Sequence, residues 1–184
     1  MGTGDPLYGN AAPERTLRLK PFLMDAQEVS NAEYLQFVKK RQHRRPVTWK
    51  GGRFDESRKD HPVVGIGWDD AKLYCQWAGK RLPTEPEWER AARGPKGRRY
   101  PWAGEGFSAN FAVTRESRAK QPVPVFTRNR DVTPEGVRHL AGNVREYVAD
   151  PYRPYTGQST LTRERVVRGS SWAFSVMGAV GFHR

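Results

Sequence analysis

The chain reads as an α+β protein, with a few helices on small antiparallel sheets and a high share of loop. Three observations lead there. Three short amphipathic segments each open on a capping signal; the chain carries 18 glycines and 14 prolines; and beyond Gly94 the apolar runs are short, with no sustained helical period. At 184 residues the length suits one domain with a sizeable core, expected over residues 1–184.

In chain order, "RTLRLKPFLM" alternates enough to predict an early strand. A first helix opens at "SNAE", where Ser30 caps and Glu33 returns the bond. Tyr34, Phe37 and Val38 then share one face, and the helix is expected to end near Lys40. "HPVVGIGW" predicts a buried extended segment. The second helix, "DAKLYCQWAG", takes Asp69 as its cap and Gly79 as its stop, with Ala71, Tyr74, Cys75 and Ala78 at helical spacing. The third begins at "TEPE", where Thr84 and Glu87 form a capping box around Pro86 in the first turn. Its inward face is Trp88, Ala91 and Ala92, small enough for close packing. After it, "PVPVF" and "RVVRGSSW" read as short strands.

Net charge is +12, with 23 arginines against 9 lysines, so the surface attracts polyanions. The basic residues are scattered through "RQHRR", "RFDESRK", "RGPKGRR" and "RNRD". A nucleic-acid footprint needs clustering on one surface, so solvated loops are the favoured reading. Arginine excess with many prolines also fits a chain from a hot environment. The apolar stretches are too short to span a membrane and the N-terminus lacks the pattern of a secretory signal, so the expected location is the cytoplasm.

Several chemistries lack a nucleus in this sequence. His43, His61, His139 and His183 stand far apart, with no pair at helical i,i+4 spacing to start a zinc or iron site. "GPKGRR" lacks the spacing of a phosphate loop. Ser170 and Ser171 in "RGSSW" form no nucleophile elbow. The single cysteine, Cys75, excludes an internal disulfide framework and reads as a small hydrophobe on a helix face.

Together, "EVSNAEYLQFV", "GWDDAKLYCQWAGKRLPTEPEWERAARG", "YPWAGE", "LAGNVREYVADPY" and "RVVRGSSW" occur in the order and spacing of the formylglycine-generating enzyme family, the sulfatase-modifying-factor domain. The resemblance covers nearly the whole chain and implies a C-type-lectin-like fold of the formylglycine-generating subtype, often held by calcium. In the family a strand after "RGGSW" carries a cysteine pair that binds copper and oxidises a sulfatase cysteine. Counted from Trp172, those positions are Phe174 and Ala179 here. Phenyl and methyl groups cannot replace the thiolates that Cu(I) requires, so no copper is expected. The resemblance further implies a calcium loop at Asn143, Val144 and Glu146, oxygen donors suited to a hard cation. The alternative is that Asn143 makes a tight turn and Glu146 pairs with an arginine; Arg145 stands where the family has an aromatic.

Arg184 falls where the last arginine of the family's C-terminal motif would lie, and "MGTG" resembles the end of its opening strand. The favoured expectation is a domain clipped at both ends, the alternative being that a loop of the family is lost and "GFHR" is the closing strand. What remains is a family scaffold without the family's copper chemistry. The expected function is a non-catalytic recognition or accessory module for a protein or other macromolecule, with Trp172, Ala173, Phe174, Ser175, Met177 and Arg184 as ligand-contacting residues. Trp, Phe, Met and Arg are the types that anchor interfaces. As a strand, this segment would expose only alternate positions. Proteins diversified by retroelements resemble the same subfold and vary after "RGGSW", which would suit "AFSVMGAV". The competing reading is a truncated or divergent oxidase acting on a protein substrate.

Overall fold

In a computed structural model, residues 1–4, 13–104, 106–153 and 164–181 are described. Among these, three α-helices and one antiparallel strand pair carry the fold, joined by loops and 3-10 turns. The helices are α1 (Asn31–Arg41), α2 (Trp68–Trp77) and α3 (Glu85–Arg93); the strands are β1 (Glu146–Pro151) and β2 (Arg165–Arg168).

The capping expectations hold for α1 and α3. Ser30 accepts from the Glu33 N–H and Glu33 accepts from the Ser30 N–H; Thr84 and Glu87 do the same. Each satisfies donors that a helix start leaves without an intrahelical partner. The α2 cap differs. The helix starts at Trp68 on Gly67, and Asp70, rather than Asp69, accepts from the Gly67 N–H at 2.8 Å. Asp70 is drawn inward because Arg44 grips both its oxygens at 2.7 Å and His43 Nε2 approaches to 2.9 Å. Burial alone would raise this carboxyl, but these hydrogen bonds hold it down at about 2.

Three apolar clusters make the core. Between α1 and α2, Tyr34, Phe37, Val38, Trp49 and Tyr74 pack together, with Cys75 and Ala78 against them. Tyr34 stacks on Tyr74 at 5.5 Å and meets Phe37 edge-on at 5.4 Å, geometries that aromatic quadrupoles favour. Beneath α3, Trp88 and Ala92 pack on Leu140, Val148 and Val166. The third cluster joins Trp102, Ala112, Ala141 and Ala179. All three helices therefore bury the faces that their spacing predicted.

The expectations of extended chain divide, failing for "RTLRLKPFLM" and "PVPVF" and holding for "HPVVGIGW" and "RVVR". Residues 13–20, which include the first six of "RTLRLKPFLM", are exposed, with Leu17 and Leu19 facing out and Leu23 exposed beyond them. Arg15 exchanges backbone hydrogen bonds with Met1 at 2.8 and 2.7 Å, but no further rung follows among the described residues, and alternation makes a strand only where a neighbouring edge carries the ladder on. "HPVVGIGW" is extended, tied by a single bridge between Ser30 and Pro62 and by the Val63 N–H on Val29 O. "PVPVF" is a turn whose Val125 is buried. "RVVR" does form β2, pairing with β1 in the register Glu146↔Arg168 and Tyr147↔Val167, with an irregularity before Pro151↔Arg165.

A buried charge network ties α3 to the chain ends. Arg168, fully buried, donates to Glu89 at 3.0 Å, Glu85 at 3.3 Å and the Gly181 carbonyl at 2.7 Å. Arg93 donates to the other Glu89 oxygen at 2.7 Å and to Gly2 O at 2.8 Å. The Gly2 N–H returns to Glu89 at 2.8 Å. Glu89 thus fixes residues from both ends of the described chain, and two arginines balance two glutamates, as burial demands.

Candidate functional site

The candidate binding segment begins at Gly169, which lets the chain leave β2. Its φ is +75°, and a Cβ there would meet the Leu140 carbonyl oxygen at 3.0 Å. Only glycine suits both the left-handed backbone and the contact. Beyond it, the expected strand is absent: residues 172–181 form turns and a 3-10 helix, Val176–Ala179.

The neighbouring loops provide that turn's hydrogen bonds. The Trp172 N–H donates to Asn143 O at 3.1 Å, the Arg115 N–H to Phe174 O at 2.9 Å, and the Val176 N–H to Glu116 at 2.9 Å. Ser170 donates to Ser175 O, and Ser175 caps the 3-10 helix by accepting from the Met177 N–H. With these partners satisfied, there is no ladder for an edge strand to complete, and exposure does not alternate. Ala173 and Phe174 are both exposed, Ser175 is half-buried, and Met177 is exposed again. Trp172 is half-buried. Phe174 and Met177 keep 56% and 49% of their surface, so they are the apolar groups this turn presents. Arg184 lies outside the described residues.

The two positions counted for copper differ in environment. Phe174 faces outward, and the Arg145 guanidinium lies 5.7 Å from its ring centre. Ala179 is fully buried against the Trp102 cluster. Cys75 packs against the α1–α2 cluster, and burial pushes its thiol up, away from the reactive thiolate.

Asn143, Val144 and Glu146 sit beside this turn, with both Asn143 oxygens and one Glu146 oxygen accepting hydrogen bonds. Asn143 is buried in the left-handed conformation, φ +64°. Its Oδ1 accepts from the Val123 N–H at 2.8 Å, while its Nδ2 donates to Glu28 at 2.8 Å and to Val123 O at 3.2 Å. Its carbonyl takes the Trp172 N–H. Glu146 accepts from Trp88 Nε1 at 2.7 Å rather than pairing with an arginine. Removal from water, with Glu28 close by, pushes the Glu146 carboxyl up to about 8. A calcium ion takes six to eight oxygen ligands, waters among them. These residues, as arranged, are a hydrogen-bonded latch, and among the described residues no three His, Cys, Asp or Glu side chains converge on a metal position.

Sequence reasoning missed what surrounds the latch. His139 Nδ1 meets Glu28 at 2.8 Å and its Nε2 lies 3.2 Å from Thr127 O. Burial opposes the charge on His139, yet the Glu28 bond raises its pKa. Asp131, fully buried, accepts from the Ala141 N–H, and burial lifts it to about 7. Glu28 and His139 are 111 positions apart, so no spacing rule could join them. Glu28 did stand inside the quoted "EVSN" motif, the one available signal.

Residues 1–182 match the sulfatase-modifying factor enzyme 1-like domain. The chain is 30% identical over 239 residues to the inactive C-alpha-formylglycine-generating enzyme 2 of Bos taurus, covering all of this chain and 76% of that protein. It is 32% identical over 236 residues to the formylglycine-generating enzyme of Streptomyces coelicolor, covering 94% and 74%. Among solved structures, PvdO from Pseudomonas aeruginosa shares the fold with a TM-score of 0.79 at 23% identity, over the whole chain and 82% of that protein. Treponema denticola variable protein 1 does so at 0.62 and 22% identity, over 85% and 75%. The shared fold, the domain match along the whole length and the "RLPTEPEWERAARG" helix place this chain in the formylglycine-generating enzyme family of sulfatase-modifying-factor domains.

Proposed function

We propose that the chain is a non-catalytic recognition module of this family, binding a protein or other macromolecular ligand through the turn after Gly169. One observation carries the reading. The positions that would hold the copper thiolates are an exposed phenyl, Phe174, and a buried methyl, Ala179, while the turn around them is fixed at both ends. A rigid turn that displays Phe174 and Met177 binds with little ordering cost. Aromatic and methionine side chains are enriched at such contacts. An "inactive" relative and a structure titled a variable protein are consistent with a binding use of the scaffold. Residues 173–183 are the segment in which retroelement-type diversity would fall. Calcium at Asn143, Val144 and Glu146 enters this reading only through the resemblance, and the ion would have to displace the hydrogen bonds that Asn143 Oδ1 and one Glu146 oxygen accept.

Two measurements test it. Copper(I) titration with a cysteine-containing peptide under oxygen is expected to give no peptide oxidation. Stoichiometric copper binding that survives Cys75→Ser, with oxidation of the peptide, overturns the non-catalytic reading. Sequencing the locus across its natural population is expected to concentrate substitutions in codons 173–183. An invariant segment removes the diversified version.

A further inference from the structure

A second surface, outside the turn after Gly169, gathers cations around an apolar floor. The chain that follows α1 folds over the helix end through two 3-10 turns, Lys50–Gly52 and Glu56–Arg58. Two adjoining depressions result, of about 620 and 490 Å³, and both are walled by Trp49, Arg53 and Phe54. Leu35 and Val38 of α1 complete the apolar lining of the larger one. The Phe54 ring leans on Trp49 at 4.9 Å and 59°.

Lys39 and Arg45 line the first depression, Lys50 the second, and Arg53 both. All four are exposed, and among the described residues none has an ion-pair or hydrogen-bond partner for its charge. Arg58 in the second depression donates to Gln121. The carboxylates in the walls are Glu56 in the first and Asp55 in the second. Asp55 is occupied by the Ser57 N–H and hydroxyl at 2.9 and 2.8 Å. Like charges held around one hollow repel each other, and an anionic partner relieves that repulsion while gaining speed of encounter.

The floor decides which anion fits. A single-stranded nucleic acid needs an open ring face for stacking. Trp49 keeps only 4% of its surface, and Phe54 is half-buried with its ring tilted onto Trp49. Apolar side chains of a peptide need only an apolar hollow, and hollows of this size are typical ligand sites. We propose that this trough docks an acidic peptide segment that also carries apolar side chains. The apolar groups sit on Leu35, Val38 and Phe54, and the carboxylates meet Lys39, Arg45 and Arg53.

The test is fluorescence anisotropy on the full chain with three labelled probes: a short peptide alternating Glu and Leu, the same peptide with Ser for Leu, and an oligothymidylate of equal charge. The Glu/Leu peptide is expected to bind best. Arg45→Glu with Arg53→Glu is expected to weaken it about tenfold, since reversing two charges turns attraction of the acidic peptide into repulsion. Lys96→Glu, an exposed charge reversal outside both depressions, is expected to leave the affinity unchanged. If the Arg pair disturbs folding by circular dichroism, Lys39→Glu with Lys50→Glu supplies the same reading from other exposed positions. Failure of the Glu/Leu peptide to bind, equal binding of the Glu/Ser peptide or the oligonucleotide, or unchanged affinity in a folded reversal variant overturns the proposal.

Discussion

Gly169 shows how much one residue controls. Its positive φ and the 3.0 Å approach of a would-be Cβ to Leu140 O leave an added methyl no place to go. Gly169→Ala is expected to destabilise the fold by more than about 1 kcal/mol, because it adds backbone strain to a steric clash; chemical denaturation reads this directly. Glu146 gives a prediction of the opposite sign. Its carboxyl ordinarily titrates near 4.5 and is raised to about 8 in the fold. The folded state therefore prefers the protonated form, its contribution is complete below about 4.5, and it is lost as pH rises toward 8. Glu146→Gln keeps an oxygen for Trp88 Nε1 and removes that titration. The variant is expected to gain thermal stability relative to the parent at pH 8 and to show little difference at pH 4. A larger gain at pH 4 would contradict the assignment.

At the scale of elements, α3 is held by its cap and by what it covers. Thr84→Ala breaks the capping box and is expected to cost about 1 kcal/mol, the usual value of an N-cap. Trp88→Ala is expected to cost about 3–5 kcal/mol, since that ring is fully buried between α3 and the strand pair. Two other carboxyls behave unlike Glu146. Asp70, under Arg44, and Glu87, under Arg81, lie near 2 against ordinary values of 3.8 and 4.5. The folded state binds fewer protons there, so their contributions are complete above about 4.5 and lost as pH falls through about 2. An acid titration followed by circular dichroism is expected to weaken the starts of α2 and α3 in that window, and Arg44→Ala is expected to move the loss to higher pH.

For the whole molecule the decisive feature is Arg168, which joins β2, α3 and the C-terminal turn through Glu85, Glu89 and Gly181 O. Arg168→Ala leaves two buried glutamates short of a counter-charge and is expected to cost about 3–5 kcal/mol, the range for breaking a buried pair. The turn bearing Phe174 and Met177 should loosen with it, visible as faster amide exchange at Val176–Ala179. Calcium at millimolar concentration tests the loop at Asn143, Val144 and Glu146 through the melting temperature, since the ion can bind there only by displacing the hydrogen bonds from the Val123 N–H and Trp88 Nε1. A calcium-dependent rise in melting temperature would show that the latch opens for the ion.

The sequence by itself determined the α+β class, three helices with their buried faces, two of their caps, and the family. Those properties depend on contacts three or four residues apart, or on motifs long enough to be recognised whole. It also determined that no thiolate stands at 174 or 179. Tertiary structure decided the rest. Residues 13–20 form no strand beyond the single Arg15–Met1 rung because a strand needs an edge that pattern alone cannot supply. The segment after Trp172 turns instead of running straight because Arg115, Glu116 and Asn143, distant in the chain, supply its hydrogen-bond partners. Asn143 and Glu146 hold a latch for the same reason: Glu28, Val123 and Trp88 reach them first. Scattered cations become a trough only when the turns after α1 carry Arg45, Lys50 and Arg53 onto one apolar floor. Local spacing is written in the chain, but which distant partner occupies each polar atom is settled only when the chain closes on itself.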